Sequence, residues 1–212
     1  MASTTQLDPF VELICSKICH DLINPLGAIN NGMEFLAEGG ADSLKDAISL
    51  IESSSRQATA RLGLYRLAFG AWGGAESGNS FGIVRKTINE YFEHGKLTLT
   101  WNDPIPDEFD LCDKTPGKLL VNMLLLAVDC APRGGRIAID FTPKRIAVDV
   151  SGDRCAIRDD VRSGLAAELS PGRLTVRNVV AHHCIRLAGA LCLDLQVVDA
   201  AQNSIQFVAA AD

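Results

Sequence analysis

Two long stretches of the chain repeat apolar residues every three or four positions, and each carries the end signals of a helix. Asp8 followed by Pro9 is a favoured N-cap and first-position pair. From there Cys15, Ile18, Leu22, Leu26, Ile29, Met33 and Leu36 form one apolar stripe, which Gly39-Gly40 ends. A second helix starts at Asp42 or Ser43, with Leu44, Ile48, Ile51, Ser55, Ala58, Leu62, Tyr65 and Phe69 in alternating steps of four and three. That is heptad spacing. Two such helices joined by a short loop leave apolar surface uncovered. The economical solution is a symmetric homodimer whose two hairpins close a four-helix bundle; packing of both stripes on the rest of the chain is the alternative.

Gly70 to Ser80 is rich in glycine and serine and predicts a boundary, with a helical hairpin over 1–75 and a second unit over 76–212. Beyond it the pattern predicts a helix from Ser80 to His94, with Phe81, Val84 and Ile88 inward, and a strand from Lys96 to Trp101. A strongly apolar helix over Lys118 to Cys130 comes next, then strands over Arg136 to Phe141 and Arg145 to Val150. Helices over Arg158 to Leu169 and Thr175 to Ala188 precede a closing hairpin, Leu191 to Val198 and Ser204 to Ala209. Helices mixed with hairpin strands predict an α+β sandwich with the helices on one face of the sheet.

Composition narrows the function. A net charge of -6 and a pI near 5.2 argue against nucleic acid and anionic lipid as partners. The most apolar run, Leu119 to Val128, falls far short of the roughly 20 residues that a membrane span needs. The first ten residues lack the basic start and apolar core of a signal peptide, so a cytoplasmic location is expected. Seven cysteines, with no C-x-x-C pair, suit a reducing compartment where most serve as small buried apolar residues.

The candidate chemistry lies inside the first helix, in Lys17-Ile-Cys19-His20-Asp21-Leu-Ile-Asn24-Pro25. Pro25 has no N–H for the carbonyl of Asp21 and its ring crowds that carbonyl, a cost of roughly 3 kcal/mol that stability alone does not explain. At 100° per residue, His20 points about 165° away from the apolar stripe, outward, with Asn24 one turn on along the same face. An exposed neutral imidazole is a competent nucleophile near neutral pH. Attacking an activated phosphoryl group in line, such an imidazole can take that group as a phosphoramidate. Asp21, about 100° around the helix, is placed to orient the ring or accept the proton of its second nitrogen.

The string His20-Asp-Leu-Ile-Asn24-Pro25 resembles the acceptor box of sensor histidine kinases, and the heptad helices resemble their dimerisation hairpin. The second half is similar to a degenerate kinase ATPase-like (Bergerat) α/β sandwich: Asn122, Ala127, Pro132, Gly134 and Gly135 match its asparagine and glycine boxes. Leu126 stands where those kinases have a magnesium-binding asparagine. Only Asp149 and Gly152 remain of the next glycine box, and Ser170-Pro-Gly172 is the nearest remnant of the lid.

An acceptor hairpin joined to such a relic resembles the ChpT-type histidine phosphotransferases of alphaproteobacteria. The resemblance implies a homodimer that takes a phosphoryl group on His20 from the receiver domain of a hybrid histidine kinase. It passes the group to aspartates of response regulators that control the cell cycle, with Asp21 and Asn24 as helpers. Receiver docking on the first helix and the C-terminal half follows from the same resemblance. No ATP and no resident metal are expected; magnesium comes with the partner's receiver domain. Three alternatives are an active or pseudo histidine kinase, a non-catalytic dimeric scaffold, and a metal or redox protein built on Cys15, Cys19, His20, His182 and His183. The last lacks a common face for its ligands.

Overall fold

The computed structural model describes residues 8–38, 41–70, 81–93, 95–102, 114–142, 144–166 and 171–211. Two long helices come first, α1 (Pro9–Glu38) and α2 (Ala41–Phe69), packed against each other along their length. Asp8 caps α1 as expected, its Oδ1 accepting from the Phe10 amide at 3.0 Å. The helices approach closely at Gly32, where a Cβ would come within 2.6 Å of Ile51 Cγ1. The helix runs on through Pro25, which is buried. The Gly39-Gly40 stop and most of the predicted boundary stretch lie outside the described residues.

Then follow α3 (Phe81–Phe92), β1 (Leu97–Trp101), α4 (Thr115–Cys130), β2 (Gly135–Thr142), β3 (Arg145–Ser151), α5 (Asp159–Gly164), a 3-10 turn (Pro171–Arg173), α6 (Val179–Ala190), β4 (Asp194–Ala201) and β5 (Ser204–Ala210). The strands form one sheet in the order β1-β2-β3-β5-β4, parallel at β1–β2 and antiparallel elsewhere. Alternate residues of β2 (Ile137, Ile139 and Phe141) and of β5 (Ile205, Phe207 and Ala209) are buried. They pack under α4 and α6, so the α+β reading holds with one covered face. α4 is buried nearly all round, because α2 covers the side that the sheet does not.

Several predicted features differ; among them, α4 begins at Thr115 rather than Lys118 and β4 at Asp194 rather than Leu191. α6 begins at Val179 rather than Thr175, because the Asn178 side chain accepts from the Thr175 amide at 2.7 Å and donates to the Arg173 carbonyl at 3.0 Å. That local turn competes with helix. The helix predicted from Arg158 is only six residues long among those described. Cys15 and Cys19 are exposed, as is Cys192, while Cys130, Cys155 and Cys184 are buried. The expectation of buried cysteines therefore fails on α1, where the stripe bearing Cys15 is not wholly covered by α2.

The heptad seam of α2 also splits. Leu44, Ile48 and Leu62 remain exposed, whereas Tyr65 is buried. A straight α-helix drifts by about 20° per heptad, and at its C-terminal end α2 is also covered by α3 and α4. Leu64, Leu67 and Ala68 therefore enter one core with the sheet-covering helices.

Candidate functional site

His20 stands on the outer face of α1 with its side chain 75% exposed, and its Nδ1 lies 2.9 Å from Asp21 Oδ1. As the carboxylate can only accept, Nδ1 carries the hydrogen, which leaves the Nε2 lone pair directed away from Asp21. Asp21 itself is 15% exposed and makes more contacts than its neighbour. Lys17 Nζ, one turn back on α1, lies 2.7 Å from Oδ2, and the hydroxyl of Tyr65 on α2 donates to that same oxygen. From α2 as well, Arg61 Nη1 donates to the Asp21 carbonyl at 2.6 Å. Asn24 is exposed one turn further along α1.

Beside these residues is a cleft of about 100 Å³ lined by Lys17, Asp21, Arg61, Tyr65, Tyr91 and Asp129, together with Leu125 and Val128. Four helices meet there. Asp129, at the end of α4, lies 3.7 Å from Lys17 Nζ, so one ammonium bridges two carboxylates and links α1 to the second half.

The electrostatics separate the two acids. Burial pushes the Asp21 carboxyl up, but hydrogen bonds from His20, Lys17 and Tyr65 outweigh it and hold the group below its ordinary value. It is an anion at neutral pH. Burial and the adjacent Asp21 carboxylate push the Tyr65 hydroxyl well above the ordinary phenol range, so it stays a donor. At Asp129 burial dominates and raises the carboxyl, with the Lys17 charge opposing. A fixed anion against one nitrogen of an exposed imidazole raises electron density at the other and can stabilise an imidazolium as it forms.

Residues 81–203 match the family described as the histidine phosphotransferase C-terminal domain. The protein phosphotransferase ChpT of Brucella abortus (strain 2308) is 42% identical over 163 residues, 74% of this chain and 75% of that protein. The chain belongs to the ChpT-type histidine phosphotransferases. Among solved structures, that of a bacterial phosphotransferase at 1.7 Å is similar over 98% of both chains, with 34% identity and a TM-score of 0.75.

Within this ChpT-type framework, His20, Asp21 and Asn24 all lie on one accessible turn. Sequence reasoning missed Lys17, Arg61, Tyr65 and Asp129. Lys17 has a signal, the i, i+4 spacing to Asp21; Tyr65 was hidden as a heptad position, and the others depend on how the helices meet.

The residues that resemble nucleotide boxes have structural work. Asn122 is fully buried and donates to the Ala68 carbonyl at 3.2 Å and the Lys118 carbonyl at 2.9 Å, tying α4 to the end of α2. Asp149 accepts from Gln206 Nε2 at 2.7 Å across β3 and β5. Gly134 and Gly135 have φ of 97° and 149°, and a Cβ on Gly135 would collide with the Ser151 carbonyl. Leu126 is a core side chain, 2% exposed. Among the described residues no group of three or more histidine, cysteine or acidic side chains is placed to hold a metal ion, and no helix is long and apolar enough to cross a membrane.

Proposed function

We propose that this phosphorelay histidine phosphotransferase carries the phosphoryl group on Nε2 of His20. The group comes from the aspartate of a hybrid kinase's receiver domain and goes to the aspartate of a response regulator. The Nε2 lone pair attacks phosphorus, the Nε2–P bond forms, and the P–O bond to the donor carboxylate breaks with that carboxylate as leaving group. Asp21 accepts the Nδ1 hydrogen bond and stabilises the charge that grows on the ring. Asn24, exposed one turn on, is assigned the role of positioning a phosphoryl oxygen with its amide. Magnesium bound by the receiver neutralises the transferring group.

The observation that carries this reading is the paired condition of His20: its ring is open to a visiting protein, yet one nitrogen is fixed by an anchored anion. Two further parts belong to the proposal. The hairpin, 1–75, is the phosphotransfer and dimerisation unit, and 76–212 is a platform that does not bind ATP. A second copy covers Leu26, Met33, Leu44 and Ile48, all 44–55% exposed along the two long helices, and closes a four-helix bundle.

The test is incubation with phosphorylated receiver domains and magnesium. Acid-labile label on the wild type and none on His20→Ala is the expected result. Label on His20→Ala refutes the assignment.

A further inference from the structure

The hold that α2 takes on Asp21 has a cause in the sequence of α1. In an uninterrupted α-helix the N–H of residue 25 donates to the carbonyl of residue 21. Pro25 supplies no N–H, and its ring tilts that carbonyl off the ladder. The Asp21 carbonyl nevertheless accepts a hydrogen bond, from Arg61 Nη1 at 2.6 Å. One turn further along α2, the Tyr65 hydroxyl donates to the carboxylate of the same residue. Residues 61 and 65 therefore grip the main chain and the side chain of residue 21, from a helix other than its own.

We infer that Arg61 is a positioning residue for the acceptor, standing in for the amide that Pro25 removes and fixing the backbone of the turn that bears His20. The inference rests on His20 being the acceptor. It gives the costly proline a purpose: with an amide at residue 25, the carbonyl would be satisfied within α1 and would no longer depend on α2 for a donor. With proline there, a guanidinium, a stronger donor than an amide, makes the bond. Arg61 is only part-buried and lines the cleft shared with Tyr91 of α3 and Asp129 of α4, so the acceptor turn is tied to the second half through it.

Positioning and mere stapling of the hairpin are separable by experiment. The full-length protein is phosphorylated with phosphoramidate, a small donor that needs no docked receiver. The Nε2–P bond forms, the donor's P–N bond breaks, and ammonia leaves from a nitrogen already protonated at neutral pH. Rates are measured across pH for wild type, Arg61→Ala, Arg61→Lys, Pro25→Ala and the Pro25→Ala/Arg61→Ala double variant.

Loss of one charge-assisted bond predicts a rate about tenfold lower in Arg61→Ala. In the Pro25→Ala background, where the residue 25 amide can take over, the same change costs less than about twofold. Arg61→Lys, which keeps a cationic donor, stays within about threefold of wild type. The pH–rate midpoint of Arg61→Ala also moves, because Asp21 loses its alignment with Nδ1. The titratable and charged groups that line the cleft beside the acceptor turn are Asp21 and Lys17 on α1, Arg61 and Tyr65 on α2, Tyr91 on α3 and Asp129 on α4.

A tenfold loss in both backgrounds overturns the inference alone. So does an unmoved midpoint accompanied only by a lower melting temperature, which is readable even if the Pro25→Ala variants fail to fold. Label transferred from a phosphorylated receiver to His20→Ala overturns the acceptor reading, and this inference with it.

Discussion

Replacing Asp21 by asparagine removes one charge and little else, because the side chains are nearly isosteric. The native carboxylate sits 2.9 Å from Nδ1 of His20. At that separation a unit positive charge growing on the ring gains about 1.4 kcal/mol at the dielectric of water and about 6 kcal/mol at an effective value of 20. His20 is 75% exposed, so the lower end governs, and a loss of about 1.5–3 kcal/mol is expected. Asparagine also leaves Lys17 and Tyr65 facing a neutral amide, which loosens the anchor that keeps the ring in one tautomer. Together these predict a transfer rate lower by about 10- to 150-fold. The assay is single-turnover transfer from a phosphorylated receiver in a quenched-flow instrument, at saturating receiver so that docking does not enter. Wild-type and variant melting temperatures are compared alongside. A variant folded and within twofold of wild type would show that the anion on Nδ1 has no part in the reaction.

The same carboxylate bears on acid stability. Its folded-state value lies below the ordinary one, so its contribution is fully present above about pH 4 and is lost as pH falls through the folded value. The stability gap between wild type and Asp21→Asn should be constant near neutrality and close in acid. His183, packed against the rings of Phe10 and Phe69, is pushed down to about 4 by burial and by the charge of Arg186. Between the ordinary imidazole value of about 6.5 and this folded value the unfolded chain binds the extra proton. Wild-type stability should therefore fall over that window by at most about 1.4 kcal/mol per pH unit, and urea titrations of His183→Gln should show a flatter line. Gly135→Ala should cost more than about 2 kcal/mol, read as a lower urea midpoint, because the new Cβ meets the Ser151 carbonyl at a left-handed φ. Ile48→Glu should leave the fold intact by circular dichroism but give a monomer by sedimentation if the exposed stripe is a dimer face.

The arrangement of elements was readable because period and punctuation agree along most of this chain. Ile137, Ile139 and Phe141 alternate with Arg136, Ala138, Asp140 and Thr142, and the Asp8-Pro9 pair marks a helix start that the structure repeats to the residue. The pattern misled where one stripe serves two purposes. In α2, Leu62 and Tyr65 are three residues apart on one heptad seam, yet one is exposed and the other buried against α1, since heptad periodicity does not say which partner covers which position. At the site, His20, Asp21 and Asn24 were legible because they are local in sequence. The groups that hold Asp21 were not: Arg61 and Tyr65 are 40 and 44 residues away, and only the crossing of α1 and α2 brings them in. Pro25 was the visible half of that pairing. It announced a free carbonyl, but not the donor that would find it.

The central claim, that His20 is the residue that carries phosphate, is tested most directly by locating the phosphoryl group. The protein is phosphorylated by a cognate receiver, kept at alkaline pH where phosphoramidates survive, digested, and sequenced by mass spectrometry. The account predicts a single modified site at His20, lost on brief acid treatment. Modification at His182, His183 or His94, or an acid-stable phosphate on a serine, would contradict it.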